Sequence, residues 1–210
     1  MSEQLKENLT EVIKEMEQKC EEHPDSLMAN HHLALVYRKA GRHDDAIAKL
    51  KRCLEIDEQS YEAYINLGAI YFEMGNLDEA LATNKTALIY AHKPANAHCN
   101  IGLILQQKGE QDKAIESYTK ATMHDPHMSF AWVNLASAQI TAGNFDEALS
   151  AAKKGVETDP NFPMAHNNLA VAYYYAKEYQ AAKDSIDKAA QLGYPIDPQF
   201  TEAVDKELQA

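Results

Sequence analysis

The sequence predicts an all-α solenoid of stacked helix pairs, on three observations. Ala46, Ala80, Ala114, Ala148 and Ala182 stand 34 residues apart with no gap, and a fixed period of this length marks a helix pair that is copied and stacked. With Leu27 as position 1 of the frame, position 7 is large and apolar (Leu33, Leu67, Ile101, Leu135, Leu169) and position 8 is tiny (Ala34, Gly68, Gly102, Ala136, Ala170). Tiny residues let helix backbones approach closely while large ones fill what is left. Gly41, Gly75, Gly109 and Gly143 occupy position 15, where a first helix ends and a glycine takes the left-handed conformation.

The elements follow in order. Residues 1–26 read as an N-terminal capping half-repeat, with an amphipathic helix over 4–22 that puts Leu5, Leu9, Val12, Ile13, Met16 and Cys20 on one face. Five repeats then span 27–60, 61–94, 95–128, 129–162 and 163–196. Pro126 and Pro160, at position 32, stop the second helices of the third and fourth repeats. Lys177 stands at position 15 of the fifth repeat, so that turn is expected to differ. In the fourth repeat Gln139 and Ala152 fill columns that elsewhere hold Tyr37, Tyr71, Tyr118 or Ile186, which predicts looser packing there. Residues 197–210 read as a C-terminal capping helix. Asp197 is its N-cap, Pro198 its first residue, and Phe200, Val204 and Leu208 its apolar face.

The stretch YEAYINLGAIYFEMGNLDEALATNKTALIYAHKP, with its small-residue columns, Tyr71 at position 11 and its turn glycine, resembles the tetratricopeptide repeat (TPR) family. The resemblance covers 27–196. It implies antiparallel helix pairs coiling into a right-handed α-α superhelix, with a concave groove lined by the first helix of each pair.

Composition narrows the function. A net charge of −12 argues against nucleic acid, since phosphate binding needs clustered Lys and Arg, and disfavours anionic membranes. No apolar run approaches about 18 residues, so no spanning helix and no membrane insertion are expected. The basic start and apolar run of a secretory signal are missing. Cys20, Cys53 and Cys99 form no Cys-x-x-Cys pair and suit a reducing cytoplasm. Cys99 alone is placed where it could face the groove. Asn84-Lys85-Thr86 reads as a chance glycosylation sequon.

Catalytic signals are weak. His31 and His32 are helix neighbours, which point about 100° apart and do not converge on one ion. His124 and His127 flank a helix end with no thiolate partner. Asp44-Asp45 and Asp78-Glu79 begin second helices, where carboxylates complement the helix dipole. No phosphate loop and no nucleophile elbow is present. The expectation is a non-enzyme with no cofactor and no metal.

In the family, positions 2, 5, 6, 9, 12 and 13 face the groove. Position 6 reads His32, Asn66, Asn100, Asn134 and Asn168. A carboxamide offers an acceptor and two donors, so a row of four can grip an extended backbone. The row resembles the asparagine ladder of O-linked N-acetylglucosamine transferase, broken here by His32. The alternative is structural: the amides bond to neighbouring helices. Apolar anchors are expected from Ile65, Phe72, Leu103, Phe130, Ile140 and Tyr174, and Arg38 with Lys39 is the place for an acidic group. Family members that clamp an acidic chaperone tail carry Lys and Arg at positions 2, 5 and 6, which are missing here. The leading expectation is a scaffold or adaptor binding an extended peptide or protein segment. A self-assembling subunit and an accessory module of an enzyme complex are the alternatives.

Overall fold

The backbone turns at each interhelical loop in a way that local chemistry dictates. A computed structural model describes residues 3–209, with side chains from residue 8. All regular structure among the described residues is α-helical. The helices are α1 (Glu3–Glu22), α2 (Leu27–Lys39), α3 (His43–Ile56), α4 (Tyr61–Glu73), α5 (Leu77–Tyr90) and α6 (Ala95–Gln107), then α7 (Gln111–His124), α8 (Ser129–Ala142), α9 (Phe145–Thr158), α10 (Pro163–Tyr175), α11 (Tyr179–Gln191) and α12 (Pro198–Leu208). They divide into two compact units, Met1–Asn100 and Ile101–Ala210.

First helices end in a Schellman turn. Gly143, at φ 78°, donates its N–H to the Ile140 carbonyl, and Asn144 donates to that of Gln139. Lys177 was expected to break this pattern and does not. It adopts φ 61°, with the equivalent bonds from Lys177 to Tyr174 and from Glu178 to Tyr173. The turn is kept and the lysine carries the left-handed strain.

Three of the second helices, α3, α7 and α9, end at an aspartate. The side chains of Asp57, Asp125 and Asp159 each accept the N–H two residues on at 3.0 Å, closing the connector. Asp125 and Asp159 precede prolines and are extended, as the ring requires. A side chain at position 4 then reaches back six residues to the connector. Asn30 donates to the Pro24 carbonyl at 3.0 Å, Trp132 to Pro126 at 2.9 Å and His166 to Pro160 at 2.8 Å. At the C-terminus Asp197 caps α12 by accepting from the Gln199 N–H, with Pro198 at the first helical position.

Met1–Asn100 is built on Leu33, Tyr37, Leu50, Leu67 and Ile70, with Ile13 and Cys20 of α1 joining their core. Val12 is exposed rather than on the buried face, and the side chain of Leu5 lies outside the described residues. In Ile101–Ala210, α12 places Val204 against Ala170, Ala182 and Ile186, while Phe200 packs beside Tyr173 and Tyr174. Leu208, expected on that face, is exposed. Gln139 and Ala152 are both buried, and Gln139 Oε1 accepts from Asn144 at 2.8 Å. Beside them a Cβ on Gly155 would stand 3.2 Å from Val133, so the helices close in where the side chains are small.

The tiny position 8 admits different partners in the two units. A Cβ on Gly68 would lie 2.1 Å from the amide nitrogen of Asn84, and one on Gly102 would lie 2.5 Å from the ring of Tyr118. Both partners are fully buried. Asn84 donates to the Ala80 carbonyl at 2.9 Å, and Tyr118 donates its hydroxyl to Gln106 Oε1 at 2.9 Å.

Candidate functional site

Neighbouring first helices within each unit form the candidate binding faces. α2 lies beside α4 in Met1–Asn100, and α8 beside α10 in Ile101–Ala210. Position 2 is exposed throughout: Met28, Glu62 and Asn96 in one unit, Phe130 and Met164 in the other. Positions 9 and 12 are half-buried or exposed, and position 13 is exposed.

The position-6 amides turn toward their own neighbours. Asn66 donates to His31 Nε2 and to the Glu62 carbonyl, both at 2.9 Å. Burial, and then the charge of His32, lowers the His31 pKa against the opposing pull of Glu62, which suits a neutral ring accepting at Nε2. Asn100 donates to Asn84 Oδ1 at 3.1 Å. Asn168 donates to the Val133 carbonyl of the preceding first helix at 2.9 Å and is buried, as is Asn134. Asn66 and Asn100 are half-buried and His32 is exposed. A buried amide that finds a partner avoids a desolvation cost of about 1–3 kcal/mol, so Asn66, Asn100 and Asn168 join helix to helix.

Arg38, expected to receive an acidic group, is occupied. Its guanidinium forks onto Glu73 of α4 at 2.6, 3.0 and 3.1 Å, and His43 Nε2 stands 3.7 Å from the same carboxylate. The hydrogen bond from Arg38 holds the Glu73 carboxyl below the usual range. Beside this group the Arg42 guanidinium lies 4.2 Å over the Tyr37 ring and bonds Asp45 at 2.6 Å. Tyr37 donates to Glu17 at 2.7 Å, and burial first, then that bond, pushes its pKa up to about 12. Ile65 and Phe72 are half-buried on α4.

The other unit presents aromatic surface instead. Phe130 is 45% exposed and stacks on Phe162 at 6.4 Å. Tyr175 is 51% exposed and lies flat on Phe145 at 3.7 Å, with Tyr174 edge-on to it at 5.5 Å and to Phe200 at 5.7 Å. Leu103, Ile140 and Tyr174 are half-buried. No residue of this unit at position 2, 5, 6, 9, 12 or 13 is charged. Phe145 and Phe162 were missed in the sequence. For Phe145 the available signal was the column at position 17, which reads His43, Leu77, Gln111, Phe145 and Tyr179.

Cys99 does not face outward; it is buried, like Cys20 and Cys53. Burial pushes the Cys53 thiol up to about 11, far from a reactive thiolate. Asn84 of the sequon is fully buried. Among the described residues no three His, Cys, Asp or Glu side chains converge where they could hold a metal ion. No described helix is long and apolar enough to cross a membrane.

Paired helices, closed by Schellman turns and joined through small-residue contacts, define a helical-repeat protein. Tetratricopeptide repeat models match residues 37–99, 95–128 and 133–199, and the chain belongs to that family. The fold implies a protein–protein interaction scaffold. No curated protein matches. Among solved structures the chain is similar to YrrB, described as a TPR protein with an unusual peptide-binding site (21% identity, 91% of this chain and 97% of that one, TM-score 0.66). It is also similar to PilF of Pseudomonas aeruginosa (21%, 87% and 90%, TM-score 0.74). A third likeness is to a chain of the APC/C hetero-tetramer Cut9–Hcn1 (18%, TM-score 0.77), where it covers 96% of this chain and 40% of that one. Identities this low speak to the fold alone.

Proposed function

We propose that the chain is a non-catalytic adaptor that holds an extended peptide or protein segment against its first-helix faces. The carrying observation is the uncharged, partly apolar face of α8 and α10, in a chain where a quarter of the residues are charged. Phe130, Ile140 and Tyr174 act as apolar anchors there, Leu103 does so on α6, and Ile65 and Phe72 do so on α4. The asparagines have a double role in this reading. Asn168 sets the spacing of neighbouring helices, while Asn66 and Asn100, with His32, keep edges within reach of a bound backbone and Asn134 lies between them in the row. Apolar contact dominates the affinity, because an amide already bonded to its neighbour gains little by exchanging partners.

The test is selection of displayed random peptides on the full chain, followed by affinity measurement on Phe130→Ser and Ile140→Ser variants. A loss of about tenfold or more with unchanged helicity is expected, as for truncated apolar anchors. Unchanged affinity in both variants would count against the face.

Self-association is a second reading. Ile89 of α5 and Met123 of α7 are 75% and 76% exposed on second helices, where a partner would cover them. Light scattering over a hundredfold concentration range separates the two, since a constant monomer mass leaves only the first.

A further inference from the structure

We infer that the corner of α8, α9 and α10 docks an arginine side chain of the bound segment; this rests on the peptide-binding reading above and names the segment's chemistry.

The equivalent corner lies in Met1–Asn100, three periods earlier. There the chain supplies its own guanidinium groups. Arg42 lies over the Tyr37 ring and bonds Asp45, while Arg38 forks onto Glu73 beside His43. Moving 102 residues along replaces Arg38 by Ile140, Arg42 by Asn144, His43 by Phe145 and Glu73 by Tyr175. The acidic pair survives the move, as Asp44 and Asp45 become Asp146 and Glu147. Both begin α9 directly after Phe145 and are exposed. Neither has an ion pair among the described residues. Glu178, three residues after Tyr175, is also exposed and stands at the N-cap of α11. Lys177 is the basic residue in that turn, and it too makes no ion pair there.

The corner therefore has an exposed aromatic ring stacked on the first residue of α9, has two acids directly after that residue, and lacks the two arginines that satisfy its counterpart. A planar guanidinium can lie against the exposed Tyr175 ring while its N–H fork bonds Asp146 or Glu147 at the start of α9. Lysine offers a point charge without the stacking plane, so arginine is the better fit. The neighbouring face of Phe130 and Ile140 takes uncharged side chains, so the expected segment is apolar with one arginine.

The experiment starts from random twelve-residue peptides displayed and selected on the full chain. Arginine should be enriched in the selected set. In the tightest peptide, replacing that arginine by citrulline, which keeps the shape and removes the charge, should weaken binding about tenfold. On the Asp146→Asn/Glu147→Gln variant, which leaves the aromatic stack intact, the citrulline penalty should fall below about twofold. An Asp184→Asn/Asp187→Asn variant makes the same charge change on α11 and should keep the full penalty. Selected peptides without arginine that still depend on Phe130 would overturn the arginine site and leave the adaptor reading standing. Equal loss of the penalty in both acidic variants would reduce the effect to net charge and also overturn it. Failure to select any peptide sensitive to Phe130→Ser would sink both.

Discussion

The corner around Glu73 and the corner around Tyr175 occupy the same place in the repeat frame and solve it with opposite chemistry. In the first, Arg38, Glu73 and His43 meet across α2, α3 and α4, and Arg42 ties Asp45 to the Tyr37 ring. In the second, Phe145 and Tyr175 stack face to face, and the acids that follow Phe145 pair with no cation among the described residues. The difference teaches that the backbone frame sets where side chains meet, and the side chains alone decide whether the surface is self-satisfied or left for a partner. The interiors repeat the lesson, with the amide of Asn84 against Gly68 in one unit and the ring of Tyr118 against Gly102 in the other.

The interior contrast gives the largest expected effect. Gly102→Ala drives a methyl into a rigid, fully buried ring, and should cost about 3 kcal/mol, the upper part of the range for overpacking. Gly68→Ala meets the end of an amide that can rotate, and should cost about 1–2 kcal/mol. Denaturant melts of the two variants decide it; equal losses would mean the two interiors are equally rigid.

Lys177→Gly comes next. Relief of the left-handed strain should raise stability by about 1 kcal/mol, whereas Gly143→Lys should lower it by a similar amount. A thermal shift of the same sign in both variants would contradict the shared turn.

The ionic corner is worth less. Arg38 and Glu73 are each about a third exposed, so screening discounts the pair, and Glu73→Gln should cost about 0.5–1 kcal/mol. The cost should shrink in 1 M salt, and Tyr175→Leu should show no such salt dependence. Acid gives the smallest signal. Glu73 has a lowered pKa, so its stabilisation is complete above the ordinary carboxylate range and fades as pH falls through the lowered value. Melting curves of wild type and Glu73→Gln should converge on acidification from neutrality. Curves that stay parallel would mean the carboxylate contributes nothing through its charge.

Helix pairs, turn glycines and the Asp197 cap were legible because each depends on residues within a few positions. Lys177 was misread because a turn glycine marks a preference, and the surrounding hydrogen bonds can impose the same φ on another residue. The asparagine row was visible as a column, but its direction was not. Whether Asn168 points outward or to the Val133 carbonyl depends on how closely α8 approaches α10. Cys99 and Arg38 failed for the same reason, since burial and ion pairing join residues on different helices; Arg38 and Glu73 are 35 positions apart. The Phe145–Tyr175 stack lies 30 residues apart in sequence and leaves no local trace.

The reach from position 4 back to a proline carbonyl has a consequence for acid and for substitution alike. Asn30, Trp132 and His166 share no shape, yet each delivers an N–H to an oxygen that can only accept. Since Nε2 of His166 must already carry its proton, adding a second proton to the ring leaves that latch closed. What the connector demands at this place is a hydrogen aimed at a fixed oxygen, so chemically unrelated residues can serve there interchangeably.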